Sequence, residues 1–434
     1  MQKVKKKVDK KKLGQELEGR LLASIAPLIP LNPFTIMDKY IANVINNNYN
    51  SLIKSCGCSK PQGKTLKKLG TQILKEGTVV LNHLKDKSSV PAEKQSEAYG
   101  NMLDKVDLTE MVNKKIMSRF LNELKEDMVI AYDLTDEIHK YADLRKNGME
   151  KISKVLDGSE RKAQNGYFLH GIGTDKYLLR LDVHNSEKNY LPQTRKSILE
   201  ELLTKFKGKG IWAFDRGNDD KKLFAYLNDK AAKFLVRIQK TRCFCLVETG
   251  EEVNVENLPL GRYEVFVRNS KNSKYDTTRK YGVIKAQSDK TKDPITILFS
   301  LNLSKYTDRE LVKKYLDRWG VENQFRRVKT LYKMEGMMVR KWKRRKNLMA
   351  LILLSHFLAK TIQEKLTQEK DKNTKVFLEA WNELKSFLKR VSKYYNDYSF
   401  VDFLRTKIPN RLSFFLRVKN QHHQSQITLN LSFL

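Results

Sequence analysis

The chain has 434 residues, of which 40% are hydrophobic and 9% aromatic. This length exceeds one ordinary core and the apolar content excludes a disordered protein, so we expect about two to four structural units. The 84 Lys and Arg outnumber the 50 Asp and Glu, and the net charge of +34 exceeds what solubility requires. A polyanionic partner explains the excess, and nucleic acid ranks ahead of an anionic membrane because binding phosphates releases counterions.

The apolar segments argue against a membrane protein. The longest, "LMALILL", falls far short of the run of about 20 residues that crosses a bilayer. The start, "MQKVKKKVDKKK" followed by "LLASIAPLIPL", superficially imitates a signal peptide, but Pro27 and Pro30 interrupt the apolar part. We expect a basic arm leading into a folded, cytoplasmic and nucleoid-associated protein with no membrane partner.

Residues 1–110 are predicted to form a basic helical region that binds DNA ends. "TIMDKYIANVINNNYNSLIKSCG" and "KTLKKLGTQILKEGTVVLNHL" have amphipathic spacing, and the polar "KSSVPAEKQSEAYG" is interpreted as a surface connection. Four cysteines occur as Cys56-Gly-Cys58 and Cys243-Phe-Cys245. Reduced thiols are favoured; a zinc site shared by the two pairs stays an alternative, although zinc pairs usually have two intervening residues.

Residues 111–240 show a mixed pattern. "MVIAY" and "GIWAF" are typical of buried strands, and "GYFLHGIGT" and "KYLLRLDVH" indicate a hairpin. "LPQTRKSILEELLTKF" and "DKKLFAYLNDKAA" are predicted helices, and "KFLVRIQK" a further strand. We attribute Gly171-Ile172-Gly173 to turn chemistry rather than to nucleotide binding.

Residues 241–305 are predicted to be β-rich, and helix resumes within 306–345. "DRELVKKYLDRWGVENQFRRVKTLYKM" is one predicted helix with Asp308 as its N-cap. The basic segment that follows is interpreted as a DNA clamp or, equally, as a solvated helix turn; it contains Arg340, Lys341, Trp342, Lys343, Arg344 and Arg345. Residues 346–434 are predicted to be helical and either to pair two protomers or to complete the core.

One helical stripe carries a single carboxylate among cations. Tyr315, Arg318, Glu322 and Lys329 fall within a wedge of about 60° on a helical wheel, and Arg326 lies close to the same line. The simpler interpretation is a solvated face on which Arg318 and Arg326 pair with Glu322 at four-residue spacing.

Asp133 and Asp215 occupy equivalent positions in the sequence, because each is the first charged residue after an apolar predicted strand. Ligand sites in sheets with parallel strands lie beyond the strands' carboxyl ends, so parallel neighbours would bring these carboxylates together. Glu322 could supply a third, and three carboxylates suit Mg²⁺. Asp136 or Glu137 could replace Asp133, because strand boundaries are uncertain by a few residues.

The pattern Tyr315-x₂-Arg318-x₃-Glu322-x₆-Lys329 matches the YREK signature of DDE transposases from bacterial insertion sequences. "FDRGND" and "YDLTDE" resemble the two aspartate motifs of that group. The order of strands and helices is similar to its ribonuclease-H-like core, and a β-rich insertion before the glutamate helix also occurs there. The resemblance covers roughly residues 120–335.

This resemblance implies an α/β fold: a ribonuclease-H-like mixed sheet flanked by helices, with a β-rich insertion and helical N- and C-terminal regions. It implies that Asp133, Asp215 and Glu322 are catalytic and bind two Mg²⁺ ions, with Mn²⁺ as a substitute. Tyr315, Arg318 and Lys329 would hold DNA phosphates, with Arg326 nearby. Arg216 and Asp219 could support the site or simply form a surface turn.

We therefore expect a transposase that binds the terminal inverted repeats of its insertion sequence in double-stranded DNA. It would cleave there and join the 3′ ends to target DNA in a cut-and-paste reaction, as a homodimer on the DNA. Two alternatives remain: an inactive or domesticated transposase that only binds DNA, and a ribonuclease-H-like nuclease without strand transfer.

Overall fold

The computed structural model describes residues 33–84, 89–139, 148–157, 162–268, 274–287 and 293–370, together with two short strands near the C-terminus. The predicted basic arm and the aromatic-rich helices expected after residue 370 lie outside the described residues. No helix in the described ranges is both long enough and apolar enough to span a bilayer.

From residue 33 onward, the described N-terminal residues form the helices α1 (Pro33–Ser55), α2 (Lys60–Glu76), α3 (Ala92–Lys105) and α4 (Thr109–Leu121). The prediction of a surface connection over "KSSVPAEKQSEAYG" is wrong from residue 92 onward, where α3 begins. Its polar composition hides one packed face, on which Gln95, Tyr99 and Met102 are buried.

The central strands are β1 (Val129–Ile138), β2 (Ser153–Asp157), β3 (Lys162–Gly173), β4 (Leu178–Val183), β5 (Ile211–Phe214) and β6 (Lys233–Arg237). The predicted hairpin is confirmed, since β3 pairs antiparallel with β4; β3 also pairs antiparallel with β1 and β2. β1, β5 and β6 are parallel neighbours. The helices α5 (Leu191–Phe206) and α6 (Lys221–Asp229) connect these strands, as predicted.

The β-rich residues 241–305 extend this sheet. They form β7 (Cys243–Leu246), β8 (Glu252–Asn254), β9 (Gly261–Arg268), β10 (Tyr275–Ala286) and β11 (Ile295–Phe299). β11 pairs antiparallel with β6, so the described strands of both parts make one eleven-stranded sheet in the order β2-β3-β1-β5-β6-β11-β10-β9-β7-β8, with β4 on β3. The molecule is thus a mixed α/β fold around one large mixed sheet.

Up to residue 370, the helices that follow the sheet are α7 (Asp308–Asp317), α8 (Trp319–Leu331) and α9 (Trp342–Lys370). The N-cap of α7 is Thr307 rather than the predicted Asp308, because the Thr307 hydroxyl accepts from the Glu310 amide in a capping box. The single predicted helix is interrupted at Arg318. The Arg318 amide bonds to the Tyr315 carbonyl and the Val321 amide to the Arg318 carbonyl, a three-residue spacing that tightens the turn.

Helices cover both faces of the sheet. A smaller core between the sheet and α7 contains Leu311, Tyr315 and Leu316. The larger core joins the N-terminal helices, α5, α6 and most of α9 to the other strands. Within it, the buried Asn347 amide donates to the carbonyls of Leu103 and Val106, which fastens α9 to the α3–α4 connection. The first part of α9 therefore completes the core.

The prediction of helix through the C-terminus is wrong at two short segments. β12 (Phe415–Val418) and β13 (Ile427–Asn430) pair antiparallel, with Phe415 opposite Asn430. The β-branched Val418, Ile427 and Thr428 favour strands over helices.

Candidate active site

The aspartates Asp133 and Asp215 lie side by side where the parallel pairing of β1 with β5 ends. We call this border of the sheet the aspartate edge. The parallel ladder between β1 and β5 ends with Tyr132 opposite Phe214, and each aspartate is the next residue. The prediction that β1 ends before Asp133 is wrong, because β1 continues to Ile138 along β3. What ends at Asp133 is the pairing with β5, and this is the boundary that brings the two carboxylates together.

Glu322 approaches this edge from α8. It lies in the first turn of that helix, where the helix dipole favours a negative charge, and its side chain is 45% exposed. Arg318 Nη2 lies 3.6 Å from Glu322 Oε2, while Arg318 Nη1 lies 3.8 Å from Asp133 Oδ1. One guanidinium therefore contacts both carboxylates and couples the glutamate helix to β1.

The stripe on α7 and α8 is not a uniformly solvated face. Tyr315 and Arg318 are almost fully buried, whereas the side chain of Arg326 is 71% exposed and pairs with Glu322 at 3.7 Å. The ion pairs expected of the simpler interpretation are thus present, but the stripe runs from the protein interior at Tyr315 to solvent at Arg326. Burial is what separates this stripe from an ordinary wet helix face.

Lys329 has a partner on β1. Its Nζ donates to Thr135 Oγ1 at 2.7 Å and to the backbone carbonyl of Asp136. Burial lowers the pKa of Lys329 against the opposing effect of Asp136 and other nearby carboxylates. The lysine therefore stands on the same edge as Asp133, two strand positions farther along.

The surroundings of Asp133 disfavour the charged form of its carboxyl. Burial raises the pKa of its carboxyl to about 7; Arg318 and Lys329 lower it, and Asp215 and Glu322 raise it. A divalent cation would offset this repulsion, and carboxylate oxygens are the ligands that Mg²⁺ prefers. Within the described ranges no three His, Cys, Asp or Glu side chains are grouped closely enough to hold a metal as they stand. The carboxylates of Asp133, Asp215 and Glu322 fit a divalent cation by their donor chemistry. In the structure the nearby positive charge comes from Arg318, which contacts Asp133 and Glu322.

The tight turn after β5 holds Asp215 in place. Residues Arg216–Asn218 form a single 3₁₀ turn, and the Asn218 side-chain amide donates to Asp215 Oδ1. Asp219 accepts from the Gln239 amide at 2.9 Å and pairs with Arg242, so it braces the β6 end of the edge. Arg216 is exposed.

Arg237 is a site residue that was not predicted from the sequence. The β5–β6 ladder ends with Phe214 opposite Val236, so Arg237, the last residue of β6, follows the final pair of this ladder as Asp215 does. Both border a cavity of about 400 Å³, which is lined by Asp215, Arg216, Arg237, Gln239, Tyr315 and Arg318. The rule that identified the aspartates, a first charge after an apolar strand, applies equally to "KFLVR". The cavity joins one carboxylate to three arginines and is suited to a phosphate.

Two glycines allow the glutamate helix to lie against the sheet. A Cβ on Gly171, which faces Asp133 across the β1–β3 ladder, would stand 1.5 Å from Phe325 Cζ. A Cβ on Gly320 would stand 2.7 Å from the Cα of Asp175. The interpretation of Gly171 as turn chemistry is therefore wrong, because it lies within β3 and makes room for α8.

The buried Gln324 fastens the same helix at a third point. Its side-chain amide donates to the Asp175 carbonyl at 2.7 Å, and its oxygen lies 2.9 Å from His356 Nε2 on α9. The position of Glu322 thus depends on the β3–β4 turn and on α9.

The two alternatives to Asp133 have other roles. Glu137 is 1% exposed, and both of its oxygens accept from Arg345 Nη1, at 2.7 and 2.8 Å. Asp136 contributes its backbone carbonyl to Lys329. Glu137 is thus committed to a buried ion pair away from the aspartate edge.

The basic segment divides into inward and outward side chains. Arg345 is fully buried against Glu137, which corrects its prediction as a DNA contact. The Trp342 ring packs at a tilt against the ring of Tyr167, with ring centroids 6.1 Å apart. Lys341 and Arg344 both pair with Asp104 at 2.8 Å.

Arg340 and Lys343 are exposed. The prediction of a solvent-facing clamp therefore remains applicable to these two residues, and in part to Lys341.

The cysteine pairs belong to different parts of the fold. Cys56 and Cys58 follow α1, while Cys243 and Cys245 lie on β7, and all four are free thiols. Burial raises the pKa of Cys56 to about 11, with Cys58 and Asp107 adding to the effect. A thiol with so high a pKa is a poor metal ligand at neutral pH.

Comparison with known proteins gives a family match. The family model described as the transposase DDE domain matches residues 148–358, a range that includes Asp215 and Glu322 and begins after Asp133. This match supports a DDE transposase. No curated protein matches the chain. Among solved structures, the cryo-EM structure of the piggyBac transposase synaptic complex with hairpin DNA is similar with a TM-score of 0.40 and 12% identity, over 73% of this chain and 68% of that chain.

Proposed function

We propose that the chain is the transposase of a bacterial insertion sequence, of the YREK-signature group. It binds the terminal inverted repeats of its element, cleaves the DNA there and joins the 3′ ends to target DNA by cut-and-paste. One observation carries the proposal: Asp133 and Asp215 follow the last paired residues of two parallel strands, and the arginine that contacts Asp133 also contacts Glu322. The family match supports the same reaction class.

The proposed catalytic fold is ribonuclease-H-like. Its support is the strand order β4-β3-β1-β5-β6, in which the first three strands alternate in direction and the last two run parallel to β1. The carboxyl ends of parallel strands are where such sheets bind ligands, and the proposed site lies at that edge.

The proposed site has two parts with distinct tasks. Asp133, Asp215 and Glu322 would hold two Mg²⁺ ions, or Mn²⁺ in their place, which supply activation of the attacking oxygen and stabilisation of the leaving one. Arg318 and Arg237 would bind the phosphate with forked or single hydrogen bonds, and the Tyr315 hydroxyl would donate to it. Arg318 then exchanges its carboxylate partners for phosphate when DNA enters.

The outer contacts follow from exposure and charge. Lys329 stands at the aspartate edge, while Arg326, Arg340, Lys341 and Lys343 lie farther out, where the DNA duplex would leave the site. We assign the basic N-terminal helices to recognition of the element's ends and propose that a homodimer holds the two ends together. We assign Arg344 and Trp342 mainly a supporting role, in which Arg344 pairs with Asp104 and Trp342 packs against Tyr167.

The decisive experiment is a cleavage and strand-transfer assay on duplex DNA that carries the ends of the element. We expect Mg²⁺-dependent 3′-end cleavage and joining, lost in Asp215→Ala and Glu322→Ala, which should still bind the DNA. Cleavage retained in both variants would overturn the assignment. DNA binding without cleavage by the unaltered chain would favour an inactive, DNA-binding transposase. Cleavage without joining would favour a nuclease.

A further inference from the structure

A hydrogen-bond relay runs from α5 to the carboxylate of Asp215. Arg195, on the second turn of α5, donates from Nη1 to Asn218 Oδ1 at 2.9 Å, and the Asn218 Nδ2 donates to Asp215 Oδ1. Asn218 is 4% exposed and the Arg195 side chain is 11% exposed. The relay is therefore largely shielded from water, so its hydrogen bonds are not readily exchanged for solvent.

The arginine is held from both sides. Its Nη2 donates to Asp220 Oδ2 at 2.6 Å, while the other oxygen of Asp220 accepts from the Lys222 amide at 2.9 Å and caps α6. The fork of Arg195 thus spans Asn218 and Asp220 with two different nitrogens. A planar guanidinium fixed at two points leaves little freedom for the group that it contacts.

This geometry determines which way the Asn218 amide faces. Arginine has donors and no acceptor, so the Asn218 oxygen must face Arg195 and its NH₂ group must face Asp215. One oxygen of Asp215 is thereby held by a donor. A Cβ on Gly217 would lie 3.3 Å from Asp215 Oδ2 and 3.4 Å from Oδ1, so the glycine keeps the carboxylate uncrowded on the side of the turn.

We propose that Arg195 and Asn218 are positioning residues that aim the Asp215 carboxylate at the edge it shares with Asp133. This inference rests on the proposed function, because it assigns the oriented oxygen to a divalent cation. Residues behind a metal ligand fix its orientation, and their removal typically lowers metal affinity about 10- to 100-fold. A role limited to capping α6 would instead alter stability and leave metal affinity unchanged.

The test is Mn²⁺ binding by the full-length chain, followed by the electron paramagnetic resonance of free Mn²⁺ and by calorimetry. Asn218→Leu should weaken Mn²⁺ binding about 10- to 100-fold, and Arg195→Gln about 10-fold. The matched control is Arg180→Gln, which removes an arginine from a partly buried ion-pair network with Asp182 and Glu201 on β4 and α5. The control should change Mn²⁺ affinity less than about threefold. Thermal unfolding of every variant shows whether it is folded.

The outcomes separate this inference from the proposed function. If Asp215→Ala leaves Mn²⁺ affinity unchanged, both fail together. If Asp215→Ala abolishes binding but folded Asn218→Leu and Arg195→Gln bind normally, the relay has no positioning role and the proposed function stands. Equal losses in Arg195→Gln and Arg180→Gln would also overturn the inference. Should Asn218→Leu fail to fold, Arg195→Gln reports on the same relay from its other end.

Discussion

The Arg318 guanidinium contacts the Asp133 carboxylate across the boundary between helix and sheet, with Nη1 and Oδ1 3.8 Å apart. Their side chains are only 8% and 13% exposed, so the pair is poorly screened by solvent. Even so, the pKa of Asp133 stays high, at about 7, because burial outweighs the arginine. The carboxylate is thus held in an unfavourable charge balance that a bound cation would relieve.

We expect Asp133→Asn to stabilise the metal-free protein more at pH 8 than at pH 4. Burial raises the pKa of Asp133 from 3.8 to about 7, so the folded protein keeps this proton over a range where the unfolded chain releases it. The stability this gives is fully present below the unfolded pKa and is lost as the pH rises through about 7. Asparagine resembles the neutral acid and avoids the loss, by an amount on the order of 4 kcal/mol.

Thermal unfolding of both proteins in chelator across this pH range measures the effect. A stability difference that stays constant with pH would contradict the expected titration. Glu322→Gln serves as a control, because its half-exposed carboxylate is far less desolvated.

Gly171→Ala should displace α8 and abolish cleavage. The new Cβ would overlap the Phe325 ring, and overpacking of this kind typically costs about 1–3 kcal/mol. Phe325→Leu frees space at the same point, so the double variant should regain part of the lost stability and activity. A double-mutant cycle by denaturant unfolding gives the coupling energy. Additive effects would show that Gly171 and Phe325 do not interact as placed.

Arg345→Met should destabilise the protein strongly without changing DNA affinity. Removing one partner of a buried ion pair leaves the other charge uncompensated, at a cost of about 3–5 kcal/mol. Glu137 is the stranded partner, so Glu137→Leu combined with Arg345→Met should recover much of the loss. Urea unfolding measures the stability of all three variants. A folded Arg345→Met with reduced DNA affinity would restore the arginine as a DNA contact.

Arg340→Ala and Lys343→Ala should weaken DNA binding with little effect on stability. Both side chains are exposed, and removing a cation that binds one phosphate should reduce the slope of log affinity against log salt by about 1. Lys205→Ala, which removes an exposed lysine paired with Glu201 at the end of α5, is the matched control. Fluorescence anisotropy at several salt concentrations gives the slopes. Equal slopes for all the variants would remove the basic segment from the DNA interface.

The sequence was sufficient to locate the aspartate edge. A short apolar run such as "GIWAF" predicts a buried strand because it is too short for a typical helix and is bounded by Gly210 and by the charge of Asp215. The first charge after such a run marks the end of the buried ladder, and Asp215 illustrates the rule directly. The stripe from Tyr315 to Lys329 was equally accessible, because the helical period is fixed.

Contacts between distant segments were not accessible in this way. The sequence "RKWKRRK" does not distinguish the buried Arg345 from the exposed Lys343, since the difference depends on Glu137, about 200 residues earlier. Gly171 looks like a turn residue until α8 is placed on β3, and Asn218 looks like part of a loop until Arg195 is beside it. Local patterns specify elements, whereas these side chains are defined by tertiary partners.

The pairing of β11 with β6 has a consequence for how such a protein can be shortened or diversified. Excising the β-rich segment would strip β6 of a neighbour and leave its amides and carbonyls open to another chain, a common route to aggregation. Arg237, at the end of β6, would then lose its pairing with Ile297 and lie on an exposed edge strand. We therefore expect changes of length to be tolerated better in the far strands of the segment than in β11, whose pairing supports β6 next to the aspartate edge.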